Sequence, residues 1–442
     1  MAGPIRRYPR GVRAPRIAAY HVGVSPGTHA MIADSDGGVD RGQRLATLRD
    51  TYRDGLLADV VPFWLRHGLD REHGGVLTCL DRDGSVYDPD KSVWFQGRCG
   101  WLFGTLCTEV EPREEWLAAS RSCVHFLKRH CFDADGRMFF IVTRDGRPVR
   151  KRRYVFSEMF AAMAFAAHGA AAGDAALAHE GLAVFERACT RLETSGGIEP
   201  KLIMDTRATA GFGGPMIVLG TGQALRDSFA RLGAEMKPAI AAVNIRIDAA
   251  LRTMQEKFIR PELEAVLETV LADGSTFLDH ADGRLVNPGH AIEGAWFVMQ
   301  EGLYRGDRSL VDLGVTMLRW TWKLGWDGQF GGILYFKDVA GKPVTEYWHD
   351  MKFWWPHNEA IIATLMAWLA TGDETFRSWH DDVHDWAFRH FPDSVHGEWY
   401  GWLRRDGVPT HHAKGSLWKG PFHLPRMHLV CWKLAERAAR EA

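Results

Sequence analysis

A chain of 442 residues, 46% hydrophobic and 25% charged, has ordinary globular composition and is long enough for one large domain with a sizeable core or for two to three average ones. A formal net charge of −1 gives no electrostatic case for nucleic acid or an anionic membrane surface. The 7 cysteines, without a C-x-x-C spacing, argue against a disulfide framework or a zinc site and fit a cytoplasmic protein, and no apolar run approaches the ~18–20 residues of a membrane span.

The chain opens on Arg6, Arg7, Arg10, Arg13 and Arg16 among Pro and Gly, with no apolar h-region behind them. This argues against a secretory signal and predicts a disordered extension over residues 1–43, with Met31 as an alternative start. Residues 44–442 hold nothing that reads as a linker, so one domain is expected. Apolar residues at helical spacing predict helices over 43–67, 93–110, 116–131, 157–171, 175–192, 213–232, 235–258, 288–304, 310–323, 351–371, 376–390 and 424–439. Short extended segments punctuate them, each predicted as a small hairpin. They are 74–80 before Asp83-Gly84, 137–142 before Asp145-Gly146, 276–278 before Asp282-Gly283, 331–336 before Ala340-Gly341 and 398–403 before Asp406-Gly407, with a weaker one near 196–201. Helices in pairs with hairpins between the pairs predict an all-α fold, an (α/α)6 barrel whose inner helices line a funnel. An open helical solenoid is the alternative.

Four clusters place polar residues among aromatics near helix starts. In Asn287-Pro288-Gly289-His290-Ala291-Ile292-Glu293, Asn287 is an N-cap, Pro288 suits the first helical position, and His290 and Glu293 share a face. The positive helix end is expected to hold the imidazole neutral, as a general base requires; a capped helix with a half-buried histidine is the plainer reading. Trp94, Arg98 and Trp101 share a second helix face, either as an arginine stacked on tryptophans or as a cation for a sugar oxygen and developing negative charge. In the run Lys352 to Glu359, Trp355 and Glu359 face together; this is an aromatic core segment or a site whose buried carboxylate needs partners. In the run Trp418 to Arg426, His423 stands just before a helix opened by Pro425. It is either a packed loop histidine or, because a toroid makes first and last helices neighbours, a second imidazole in the funnel of His290.

Two histidines and an arginine in a metal-free pocket suit removal of a hydrogen from carbon next to a carbonyl, with the enediolate stabilised by the cation. Return of the proton from the opposite face inverts the centre; return to the next carbon turns an aldose into a ketose.

Gly74-Gly75 with 80–84, Trp94-x-Gln96-Gly97-Arg98, Asn287-Pro288-Gly289-His290 with Glu293, Lys352-x-Trp354-Trp355-Pro356-His357-x-Glu359-Ala360 and Lys419-Gly420-Pro421-Phe422-His423-x-Pro425-Arg426 together resemble the N-acylglucosamine 2-epimerase family, in order, from about residue 45 to 435. The resemblance implies an (α/α)6 barrel, a homodimer, and interconversion of N-acetylglucosamine and N-acetylmannosamine. By carry-over His290 and His423 are the acid/base pair and Arg98 binds near O1/O2 and the enediolate. Glu293 and Glu359 orient the histidines or bind hydroxyls. Trp94, Trp355 and Trp418 line the pocket, with Asn287 and Lys352 as further substrate contacts. The resemblance also implies ATP as an allosteric activator that is not consumed; no P-loop pattern is present to place it. Cellobiose 2-epimerases, in the same superfamily, tend to carry a further histidine on the helix that here reads Gly213 to Leu219, where this chain has none. The competing readings are an aldose–ketose isomerase on the same scaffold, a non-catalytic binding protein, and a glycoside hydrolase using Glu293 and Glu359.

Overall fold

The protein, described by a computed structural model, is defined over residues 38–441 apart from 153 and 195, with side chains from residue 41 onward. The expected extension therefore lies outside the described residues up to residue 37, and residues 38–43 already belong to the first helix.

Among the described residues twelve long helices build the molecule: α1 (Gly38–Asp54), α2 (Val93–Glu109), α3 (Glu114–His130), α4 (Phe156–Ala172), α5 (Ala175–Glu193), α6 (Gly213–Leu232), α7 (Lys237–Thr253), α8 (Pro288–Arg305), α9 (Arg308–Gly325), α10 (Trp354–Thr371), α11 (Glu374–His390) and α12 (His423–Glu441). The even-numbered helices pack on one another as an inner ring, and each carries an outer partner: α2 with α3, α4 with α5, α6 with α7, α8 with α9, α10 with α11. The last inner helix, α12, packs against the first outer helix, α1, which closes the circle. This is the (α/α)6 barrel. No helix of the described residues is long and apolar enough to cross a membrane.

Position in the ring explains the composition of each helix. An inner helix has neighbours on every side, so every residue is buried from Val93 to Leu106 in α2, from Ser157 to Gly169 in α4 and from Trp354 to Trp368 in α10. Outer helices such as α3, α9 and α11 keep one apolar face inward and a charged face outward. The contact of α2 with α4 depends on small residues: a Cβ at Gly97 would stand 2.5 Å from the Phe160 carbonyl carbon, and one at Gly104 2.8 Å from that of Ala167.

The hairpins are mostly shorter than expected. Phe139–Val142 pairs with Pro148–Lys151 around Asp145-Gly146 as a true hairpin. The turns at Asp83-Gly84 and Asp406-Gly407 close on single bridges, Leu80 with Val86 and Leu403 with Pro409. The segment 276–278 is not a strand; Asp282-Gly283 lies in the one-turn helix Ala281–Arg284, and the tight turn is the preceding Asp273-Gly274. Two-residue ladders instead join loops of successive repeats, Leu285–Val286 with Lys337–Asp338 and Lys352–Phe353 with Trp402–Leu403. They tie together the loops beside the N-terminal ends of α8 and α10.

Candidate active site

The first turns of α8, α10 and α12 meet at one end of the barrel. Asn287 caps α8 by accepting the His290 N–H, and Pro288 occupies the first helical position. His290 thereby stands in the first turn with its ring centroid 5.2 Å from that of Trp355, at the start of α10. His423, the first residue of α12, places its ring 5.6 Å from the same indole. Histidines 133 residues apart in sequence thus share one aromatic partner.

Each imidazole has a carboxylate on Nδ1. The two oxygens of Glu268 lie 3.1 and 3.0 Å from Nδ1 of His290, and Oε1 of Glu359 lies 2.7 Å from Nδ1 of His423. Glu359 is fully buried and accepts from three donors: His423, the Trp296 indole N–H at 2.8 Å, and Arg426 at 2.7 Å. Arg426 also pairs with Glu293. With Nδ1–H donated to the carboxylate, Nε2 of each ring is the atom left for chemistry.

Burial lowers the pKa of His290, but the charge and hydrogen bond of Glu268, helped by the charge of Glu293, outweigh it and leave the pKa raised. The expected push of His290 towards its neutral form is therefore corrected in direction: the pKa goes up, not down. A full carboxylate at hydrogen-bond distance outweighs the partial charge of a helix end. His423 goes the other way: burial, then the positive charge of Arg426, push it well below its ordinary value, against the pull of Glu293. One ring favours holding a proton and the other favours lacking one, the separation an acid/base pair needs.

Arg98, in the second turn of α2, is the third element. Its guanidinium lies 4.1 Å from the ring centre of Phe160 and 4.4 Å from that of Phe422, and its Nε has no hydrogen-bond partner. Burial depresses its pKa to about 9, against the opposing charge of Glu293. A buried cation on an aromatic platform with an unused donor is suited to an anionic oxygen.

The remaining expected residues divide. Trp94 packs among Phe140, Phe156 and Phe160 and supports Arg98 from 5.6 Å. Trp418, 47% exposed, covers Trp94 and Phe140. Trp101 packs edge-on against Phe422. Two expected substrate contacts are corrected. Asn287 is buried and its side chain serves as the helix cap. Lys352 is fully buried, 3.0 Å from Asp327, with its ammonium also donating to the Gly332 carbonyl. Glu293, Glu359 and His423 offer atoms within 4.8 Å of one another, a spacing that suits a metal. The Arg426 guanidinium, bound to both carboxylates, already supplies the positive charge there.

Sequence reasoning missed three contributors. Glu268 carries no motif; its signal is one acid inside the apolar run Ala265-Val266-Leu267 to Val270. Arg426 stands in the sequence only as the end of the Lys419 motif, and Trp296 reads as an ordinary aromatic of the helix after His290, yet each donates to the buried Glu359.

The sequence profile of the N-acylglucosamine 2-epimerase (GlcNAc 2-epimerase) family matches residues 75–205 and 239–423. The N-acylglucosamine 2-epimerase of Bos taurus is 36% identical over 384 residues, covering 84% of this chain and 87% of that protein. Among solved structures, cellobiose 2-epimerase from Bacillus thermoamylovorans superposes with a TM-score of 0.73 at 21% identity, over 89% of this chain and all of that one. A D-mannose isomerase superposes with a TM-score of 0.70 at 16% identity, over 93% of this chain and all of that one; these two likenesses concern the fold. An all-helical barrel with paired imidazoles at the inner-helix N-termini defines the class, a sugar isomerase in the broad sense. The chain belongs to the N-acylglucosamine 2-epimerase family.

Proposed function

We propose that this protein interconverts N-acetyl-D-glucosamine and N-acetyl-D-mannosamine by moving the proton at C2. The observation that carries the reading is the pair His290 and His423, held against one indole with pKa values displaced in opposite directions. In the open-chain sugar, neutral His423 removes the C2 hydrogen through Nε2. The electron pair moves to the C1 oxygen, and because C2 carries nitrogen the intermediate is an enolate of C1. Arg98 faces that oxyanion with its free donors, and the converging helix N-termini add to the favourable field. His290 returns a proton to the other face of C2, its positive charge steadied by Glu268. Glu359, itself held by Arg426, accepts the Nδ1–H of His423 and so keeps the tautomer with Nε2 unprotonated, and Glu293 balances the two cations, Arg98 and Arg426.

The aldose–ketose alternative needs the proton back at C1. The family relatives at the sequence level are epimerases, and two imidazoles serving one carbon need no such transfer. On this reading ATP is an activator that is not consumed, and the protein is a cytoplasmic homodimer. The test is NMR observation of either N-acetyl sugar in heavy water, with and without ATP. Interconversion with deuterium at C2 is expected, and His290→Ala and His423→Ala should each lower turnover by about 10²–10⁴-fold. Ketose formation from mannose without turnover of any N-acetyl sugar would overturn it.

A further inference from the structure

Three loops that lead from an outer helix toward the next inner one share a single build. Asp70, Asp327 and Asp393 each donate their N–H to the carbonyl of the residue five on, Gly75, Gly332 and Glu398. Each aspartate carbonyl accepts from the residue four on, Gly74, Gly331 and Gly397. The fifth residue sits at positive φ in all three, 71° at Gly75, 73° at Gly332 and 57° at Glu398. Glycine is the natural occupant of that backbone, so Glu398 stands there against a steric preference.

The following N–H, at Val76, Ile333 and Trp399, needs an acceptor. In the first two loops it comes from the fourth residue of the next inner helix: Gln96 Oε1 at 2.8 Å and His357 Nε2 at 2.9 Å. The fourth residue of α12 is Arg426, which has no acceptor atom and is engaged with Glu293 and Glu359. In this loop Glu398 supplies the acceptor itself, Oε2 lying 2.6 Å from the Trp399 nitrogen. The same oxygen holds Nζ of Lys419 at 2.5 Å, and both side chains are fully buried. Lys419 also donates to the Lys414 carbonyl at 2.6 Å. Only Gly420, Pro421 and Phe422 separate Lys419 from His423.

We propose that Glu398 and Lys419 are a positioning pair for His423: Glu398 takes over the cap that a residue at position 426 would otherwise provide, which frees Arg426 for the site, and its ion pair with Lys419 sets the loop that delivers His423 to the substrate. This rests on the epimerase reading, in which each histidine serves one epimer. Loss of His423 alignment therefore acts on proton removal from one sugar, whereas removal from the other proceeds through His290.

The test is C2 deuterium washout into ordinary water from each labelled N-acetyl sugar, using Glu398→Gln and Lys419→Met, with thermal unfolding as the control for folding. Glu398→Gln keeps an acceptor for Trp399; the double variant Glu398→Gln with Lys419→Met leaves no unpaired buried charge and carries the test if a single variant does not fold. Washout from one epimer should fall about 10- to 100-fold while the other changes less than about 3-fold, as expected for a misplaced base. A parallel fall for both epimers, or no change for either, overturns the positioning role. Absence of washout from both sugars with the unaltered protein overturns the epimerase reading itself, and this proposal with it.

Discussion

Glu268 sets the protonation of His290 from a distance of 22 residues in sequence, across loops rather than along a helix. Removing its charge while keeping its shape, Glu268→Gln, leaves burial as the dominant influence on the imidazole and should lower its pKa. In kcat/KM measured against pH, the alkaline limb reports loss of the His290 proton and should move to lower pH in this variant, with the acid limb, governed by His423, in place. An unmoved alkaline limb would assign that limb to another group. His290, His423, Arg98, Glu293 and Glu359 were legible in the sequence because helix-start chemistry and motif order mark them. Glu268 was not, because only the folded loops bring it to His290. Lys352 was misread for a related reason: its motif places it beside Trp354 and Trp355, but the partner that buries it, Asp327, lies in the preceding loop.

The helices themselves followed from periodicity: α6 lies at 213–232, as the spacing predicts, while the stretch expected as one helix over 43–67 is divided by a π-helical turn, Gly55–Val60, between Gly38–Asp54 and Val61–His67. Strands fared worse because two-residue ladders between loops leave no local alternation to detect. Packing of the inner ring depends on features that periodicity does not show. Gly97 lies where α2 meets the backbone of α4, and Phe160 there is also the platform beneath Arg98. Gly97→Ala should force the helices apart and cost about 1–3 kcal/mol of stability by overpacking, with activity falling further than stability as Arg98 shifts. Gly214, in the first turn of α6, has no atom within 4 Å of a built Cβ. Gly214→Ala should be neutral or stabilising by up to about 1 kcal/mol. Urea unfolding of the two variants checks the contrast; equal effects would mean the ring is not tightly packed at α2.

At the scale of the whole molecule, ring closure was expected from the even pairing of helices, but the chemistry of the seam was not legible, since its partners lie more than 300 residues apart. Arg82 of the first loop pairs with Asp393 of the last, and α1 lies on α12. Inside that seam the Tyr52 hydroxyl is 2.8 Å from Nδ1 of His384 and 3.1 Å from Nε2 of His380, with the His428 ring 6.0 Å from that of Tyr52. Burial depresses all three imidazoles, His384 to about 4 and His428 to about 3. The unfolded chain titrates its histidines near ~6.5. Below that pH it takes up protons that the folded seam refuses, so stability falls as pH drops from about 6.5 toward the folded values, by ~1.4 kcal/mol per pH unit for each such histidine. Above about 6.5 both states are neutral and the contribution is flat. Urea midpoints should therefore fall steeply from about pH 6.5 to about pH 5. His384→Asn, which retains a polar atom near Nδ1 for Tyr52, should remove one histidine's share of the slope between about pH 6 and 4.5. A variant with the slope of the unaltered protein would mean that His384 is already charged in the folded seam, and the acid sensitivity would then have to come from elsewhere in the barrel.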